Sequence, residues 1–147
     1  MSKLHETKLA YDRVKALLDQ QLLNKKGSAQ QIRDCQSAVN VAFYLLGWAQ
    51  FEYLSRKEVE ERIEADARAK TVHGISWRYV LDNIKAFSLR KKLEVIFFTD
   101  QATLNKLNKD YDIRNEAAHN YKKLPAEVSD MSAWLDHLES LLDKFSS

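Results

Sequence analysis

The sequence predicts an all-α fold: a single-domain, up-down bundle of about five to six helices. Two observations carry this. Apolar residues recur at three- and four-residue steps along most of the chain, which lines one face of a helix. Gly and Pro are scarce, three and one in 147 residues, too few for a β architecture with frequent turns. Leu, Ala, Lys, Glu, Arg and Gln are abundant instead, and these favour helix. A chain of this length can bury a substantial core without metal or disulfide staples.

The first helix is expected over residues 3–24. Leu4, Tyr11, Val14, Leu18 and Leu22 share one face. Gly27 supplies a left-handed stop, and Ser28 can cap the next helix. That second helix, about 29–54, carries "AVNVAFYLLGWAQFEYL". The run is apolar nearly all round and predicts a central buried helix. Gly47 within it predicts close approach by another backbone. Ser55 and Glu58 form a capping-box pair that predicts a new, highly charged helix to about residue 72, closed by His73-Gly74. A helix over roughly 77–87 comes next, with Trp77, Val80, Leu81, Ile84 and Phe87. Ser88 restarts a helix through "LRKKLEVIFF", where a short strand at "EVIFF" is the alternative. Thr99 or Asp100 caps the next helix, with an interruption expected near Asp110. Leu124-Pro125 ends that segment. Ser129 opens the last helix, whose core face is Met131, Trp134, Leu135, Leu138, Leu141 and Leu142.

Charge bounds the function. With 23 basic and 21 acidic residues the net charge is +2, which argues against wholesale coating of nucleic acid and leaves room for local patches. Lys25-Lys26, Arg90-Lys91-Lys92 and Lys122-Lys123 are the candidates; the first two are more simply solvated surface, whereas Lys122-Lys123 adjoins the segment singled out below. The lone Cys35 excludes an internal disulfide and fits a reducing cytoplasm; it is expected to pack as a small apolar group on a helix. The N-terminus lacks an apolar signal-peptide core, and no apolar run approaches membrane-spanning length. The four histidines show no metal-ligand spacing, so neither metal nor cofactor is expected. Trp48, Trp77 and Trp134 sit at helical core spacing, which points to core or dimer interface before base stacking.

The segment "DIRNEAAHNYKK", residues 112–123, concentrates the chemistry. On a helix Asn115 and His119 lie within about 40° of one another, and Lys122 and Lys123 continue that side. Arg114 falls instead on the apolar row of Leu104, Leu107, Tyr111, Ala118 and Tyr121. A guanidinium there either pairs with a buried acid or faces a cleft, because it cannot shed its charge. Glu52, the one ionisable residue in the apolar run of the second helix, is a candidate partner; a neighbouring helix is the other. Cleaving RNA without metal needs a base for the 2′-hydroxyl, an acid for the leaving 5′-oxygen and positive charge near the phosphate. A histidine can move protons near neutral pH, and an arginine can hold two phosphate oxygens at once. One histidine supplies one proton-transfer group. A two-fold dimer would bring two arginines and two histidines to one cleft, and small Ala117 and Ala118 would permit close approach.

"RNEAAH", residues 114–119, resembles the signature of the HEPN superfamily, the higher eukaryotes and prokaryotes nucleotide-binding domain: Arg, then a polar residue, then His after a short gap. The resemblance implies an all-α, commonly dimeric protein. It implies a metal-independent ribonuclease of toxin–antitoxin or phage-defence type, with Arg114, Asn115 and His119 as catalytic residues and a neutralising protein as partner. On the chemistry of the residues themselves, Lys122 and Lys123 are expected to help hold the RNA backbone, and Glu52 to support Arg114. Other members of that superfamily are non-catalytic and bind a nucleotide, an RNA or a protein, and that alternative stays open. Arg68 and His73 in "RAKTVH" repeat the Arg–His spacing. The later copy is favoured by its Asn after Arg, its small residues before His, and its place in a late helix. His73 is expected to meet the carbonyls of a helix end.

Overall fold

The structure, a computed structural model, describes residues 2–25, 27–120 and 124–145. Those residues form six α-helices and no strand: α1 (Lys3–Leu23), α2 (Ala29–Ala67), α3 (Val72–Asn83), α4 (Leu89–Ile96), α5 (Gln101–Asn120) and α6 (Met131–Phe145), with a short 3-10 turn over Ile84–Ala86. The all-α expectation holds, and the alternative strand at 94–98 does not form. No helix among the described residues is long and apolar enough to cross a membrane. The chain divides into two compact units, one of residues 1–51 and 111–141, the other of 52–110 and 142–147.

The first unit is stitched at its start by Ser2, whose side chain accepts from the backbone N–H of His5 and donates to Glu139. Lys8 pairs with Asp136 at 2.7 Å, and that hydrogen-bonded partner raises the Lys8 ammonium above its ordinary range. Gly27 takes the left-handed conformation as expected (φ 92°), and Lys25 joins it at φ 51°. Leu4, Tyr11, Tyr44, Trp48, Phe51, Leu135 and Leu138 are buried. Tyr44 and Trp134 stack with centroids 4.7 Å apart, and Trp48 lies 6.0 Å from Trp134. The second helix is less enclosed than its sequence predicts: Leu46 is exposed, as are Ala38, Ala42 and Ala49 on the same outward row. Cys35 is exposed too, rather than packed. The close approach at Gly47 is made by side chains and not by a backbone. A Cβ there would stand 2.7 Å from Leu135 Cδ2 and 2.8 Å from Trp134 Cζ3.

The capping-box reading at Ser55–Glu58 fails, because α2 runs unbroken through it to Ala67. Phe51, Ser55, Val59, Ile63 and Ala67 are all buried at four-residue spacing. A continuous buried face of that kind outweighs a local cap preference. The second unit packs Val59, Ile63 and Ile84 against Trp77, Val80, Leu81, Phe87, Val95 and Ile96. Lys92, expected in a surface patch, is instead 2% exposed, with its ammonium 3.1 Å from Glu60 Oε1.

His73-Gly74 does not close a helix. Thr71 caps α3 by accepting from the backbone N–H of Gly74 at 3.1 Å, so His73 is an exposed residue in the first turn of α3 rather than one at a helix C-terminus. A Cβ on Gly74 would lie 1.8 Å from the carbonyl oxygen of Ala69, so the turn between α2 and α3 requires glycine. Ser88 caps α4 as predicted, accepting from Lys91 N. Asp100 caps α5, accepting from Thr103 N at 3.1 Å and Thr103 Oγ1 at 2.6 Å. The interruption expected near Asp110 is absent. In α6 the cap is Asp130, which accepts from Ala133 N at 3.0 Å, and not Ser129.

Candidate functional site

The last two turns of α5 carry the signature residues. Leu104, Leu107 and Ala117 are buried, and Tyr111 and Ala118 are half-buried. This sets which side of the helix faces the core. Tyr111 lies 6.0 Å from Trp48, ring centroid to centroid. Arg114 continues that side and is half-buried, with its guanidinium 5.6 Å from the centroid of the Tyr111 ring. Charge over an aromatic face offsets part of the desolvation cost.

Arg114 and Asn115 act as a pair. Arg114 Nη1 donates to Asn115 Oδ1 at 2.9 Å. A guanidinium can only donate, so the amide must turn its oxygen inward. The Asn115 amide nitrogen then presents two donors elsewhere. Guanidinium and amide together thus make a cluster weighted to donors, which suits an anion. His119 comes four residues after Asn115, about 6 Å farther along the axis, and is exposed. The structure therefore joins Arg114 to Asn115 by a direct bond and sets His119 on the solvent side of the same helix.

Lys122 and Lys123 lie outside the described residues. Glu52 is half-buried on α2 in the second unit, whereas Arg114 belongs to the first. Ala117, expected to admit a second copy, is buried and borders a depression of about 420 Å³ together with Ile113, Glu116, Asn120, Pro125 and Glu127. That depression includes none of Arg114, Asn115 and His119. Sequence reasoning missed the Arg114–Asn115 bond, because helix spacing alone puts consecutive residues about 100° apart. It also missed Tyr111 as the platform under Arg114, although the three-residue step between them was the available signal.

Comparison with family models, with curated proteins and with solved structures gave no match.

Proposed function

We propose that this chain is a metal-independent endoribonuclease of the HEPN kind, working as a homodimer with one composite site. The observation that supports it is the donor pair Arg114–Asn115 on α5, with His119 exposed one turn farther on. In this reading the 2′-hydroxyl attacks the adjacent phosphorus. One His119 takes the hydroxyl proton, and His119 of the second copy returns a proton to the departing 5′-oxygen. The Arg114 guanidinium holds the non-bridging oxygens as charge builds on them. The Asn115 amide, its oxygen held by Arg114, aims its donors at the same phosphate. The products are a 2′,3′-cyclic phosphate and a free 5′-hydroxyl. A toxin or defence role, with a neutralising protein as partner, rests on the same resemblance.

Labelled single-stranded RNA incubated with the purified chain in EDTA tests the proposal. Cutting is expected, with cyclic-phosphate ends. His119→Ala should abolish it, and Arg114→Lys should reduce it at least a hundredfold, because a point charge does not replace a planar fork. The dimer is checked by mass in solution. RNA left whole at micromolar protein overturns the enzyme reading. Retained binding would then place the chain among non-catalytic nucleotide-, RNA- or protein-binding modules.

A further inference from the structure

Within the first unit, α2 is covered on three sides and exposed on the fourth. One side meets α1: Tyr11 donates to Asn40 Oδ1 at 2.8 Å, its ring lies 5.4 Å from that of Phe43, and Thr7 Oγ1 is 2.6 Å from Gln50 Oε1. Tyr44 and Gly47 face Trp134 and Leu135 of α6. Trp48 faces Tyr111 of α5. The remaining arc holds Ala38, Ala42, Leu46 and Ala49, within about 80° of one another, and all four are exposed. The first helix widens this open face. Ala10 and Leu17 stand about 100–120° round from Tyr11, on the side away from Lys8 and Asp12, which meet α6. Both are exposed.

Three properties of this face fit a second copy of the same chain. First, its α2 half is uncharged. Residues 35–51 contain no Asp, Glu, Lys or Arg, in a chain of which 30% is charged. A two-fold contact sets a surface against its own duplicate, so a charge near the axis would meet its like. Second, the row complements itself. Leu46 and Ala38 stand four residues to either side of Ala42. Two antiparallel α2 helices crossing at Ala42 seat each Leu46 against the Ala38 of the copy, large on small. The two Ala42 methyls let the helices approach closely at the centre. Third, the face is large enough. With α1 about 31 Å long and two helices about 20 Å wide, each copy offers about 600 Å². The pair buries about 1,200 Å², the lower bound for a specific, stable interface.

We infer that the open α1–α2 face joins two copies of this chain, with the two-fold axis passing through Ala42 and lying in the plane of the contact. This deepens the composite-site reading by naming the surface that joins its halves, and rests on that reading for the role of His119. The α2 portion of the first unit ends at residue 51, and its α5 portion starts at Tyr111, beside Trp48. The last turns of α5 therefore run back along α2, and His119 stands level with about residue 40. Arg114 and Ala117 turn toward the core. His119, on the other side of Tyr111, borders the open face. The axis through Ala42 then sets both His119 on one edge of the pair, offset along the helices by about 6 Å.

The test is the native mass of the full chain at micromolar concentration, with a reductant present. The unaltered chain is expected at twice 17.1 kDa. Ala42→Glu and Ala42→Lys each set a charge against its own duplicate, and each is expected at 17.1 kDa. Mixed, the two should recover the doubled mass as one-to-one pairs, because opposite charges now meet at the axis. Tyr79→Glu alters a side chain that is 73% exposed and lies outside the face, and should leave the pair intact. Ala42 is exposed, so circular dichroism is expected to show native helix content in every variant. A native monomer overturns the inference. So does a pair that survives both Ala42→Glu and Ala42→Lys, which leaves a composite ribonuclease site to a different surface. Loss of the pair without recovery on mixing overturns the crossing at Ala42. Loss and recovery as expected, with RNA that stays whole, would remove the ribonuclease reading and keep this one.

Discussion

Ser55→Ala should stabilise the protein. The side chain is fully buried in the middle of α2, and its hydroxyl has no hydrogen-bond partner among the described residues. A buried hydroxyl without a partner costs about 1–3 kcal/mol, which alanine removes. Alanine also gains about 0.5 kcal/mol of helix propensity over serine. Against this stands the void left by one oxygen, about 0.5 kcal/mol. The net is a gain of about 1–3 kcal/mol, or about 3–9 °C in melting midpoint for a chain of this size. The capping-box reading of the sequence demands the opposite sign, a loss of about 1 kcal/mol. Calorimetry and urea titration of the two proteins decide it, with the urea slope checked for constancy. A fall of several degrees in Ser55→Ala would refute the continuous α2 and restore a helix start at that position.

Gly47→Ala should destabilise by about 1–2 kcal/mol. A contact 2.7 Å from Leu135 and 2.8 Å from Trp134 costs more than the propensity alanine gains; the loss should shrink in a Trp134→Leu background, read by a double-mutant cycle. Asp100→Asn should lower the melting midpoint near neutral pH. The Thr103 hydroxyl and N–H hold the Asp100 carboxyl below its ordinary range, so its contribution is present above the unfolded value and lost as pH falls through the folded one. Melting the two proteins from neutral to strongly acidic pH should show the gap closing. Glu60→Ala should cost more than Lys92→Met, because the first strands a buried ammonium and the second removes it; chemical denaturation of both gives the order.

Much of the fold is legible in the sequence because most of its signals are local. Ser88 and Asp100 cap helices as their side chains predict, since a cap involves only residues three apart. The face Met131, Leu135, Leu138 and Leu141 is buried as its spacing predicts. Failures come where a local signal meets a longer pattern. Ser55 and Glu58 form a sound capping box in isolation, but the buried row from Phe51 to Ala67 passes straight through it. Lys92 resembles surface because it stands after Arg90 and Lys91. Its spacing of three from Leu89 and four from Ile96 places it on the inner face instead. At the candidate site the sequence names Arg114, Asn115 and His119. It cannot name the bond between the first two, which depends on rotamers rather than on register.

Cys35 has one practical consequence for testing the proposed dimer. A solvent-facing thiol, single in its chain, has only the thiol of another molecule to oxidise with. Air-exposed preparations will therefore accumulate covalently tethered pairs whose mass matches that of a symmetric assembly. A native mass measured without reductant would count the two alike. Sizing in the presence of a phosphine, or of Cys35→Ser, separates an assembly held by complementary surfaces from one held by a sulfur bridge.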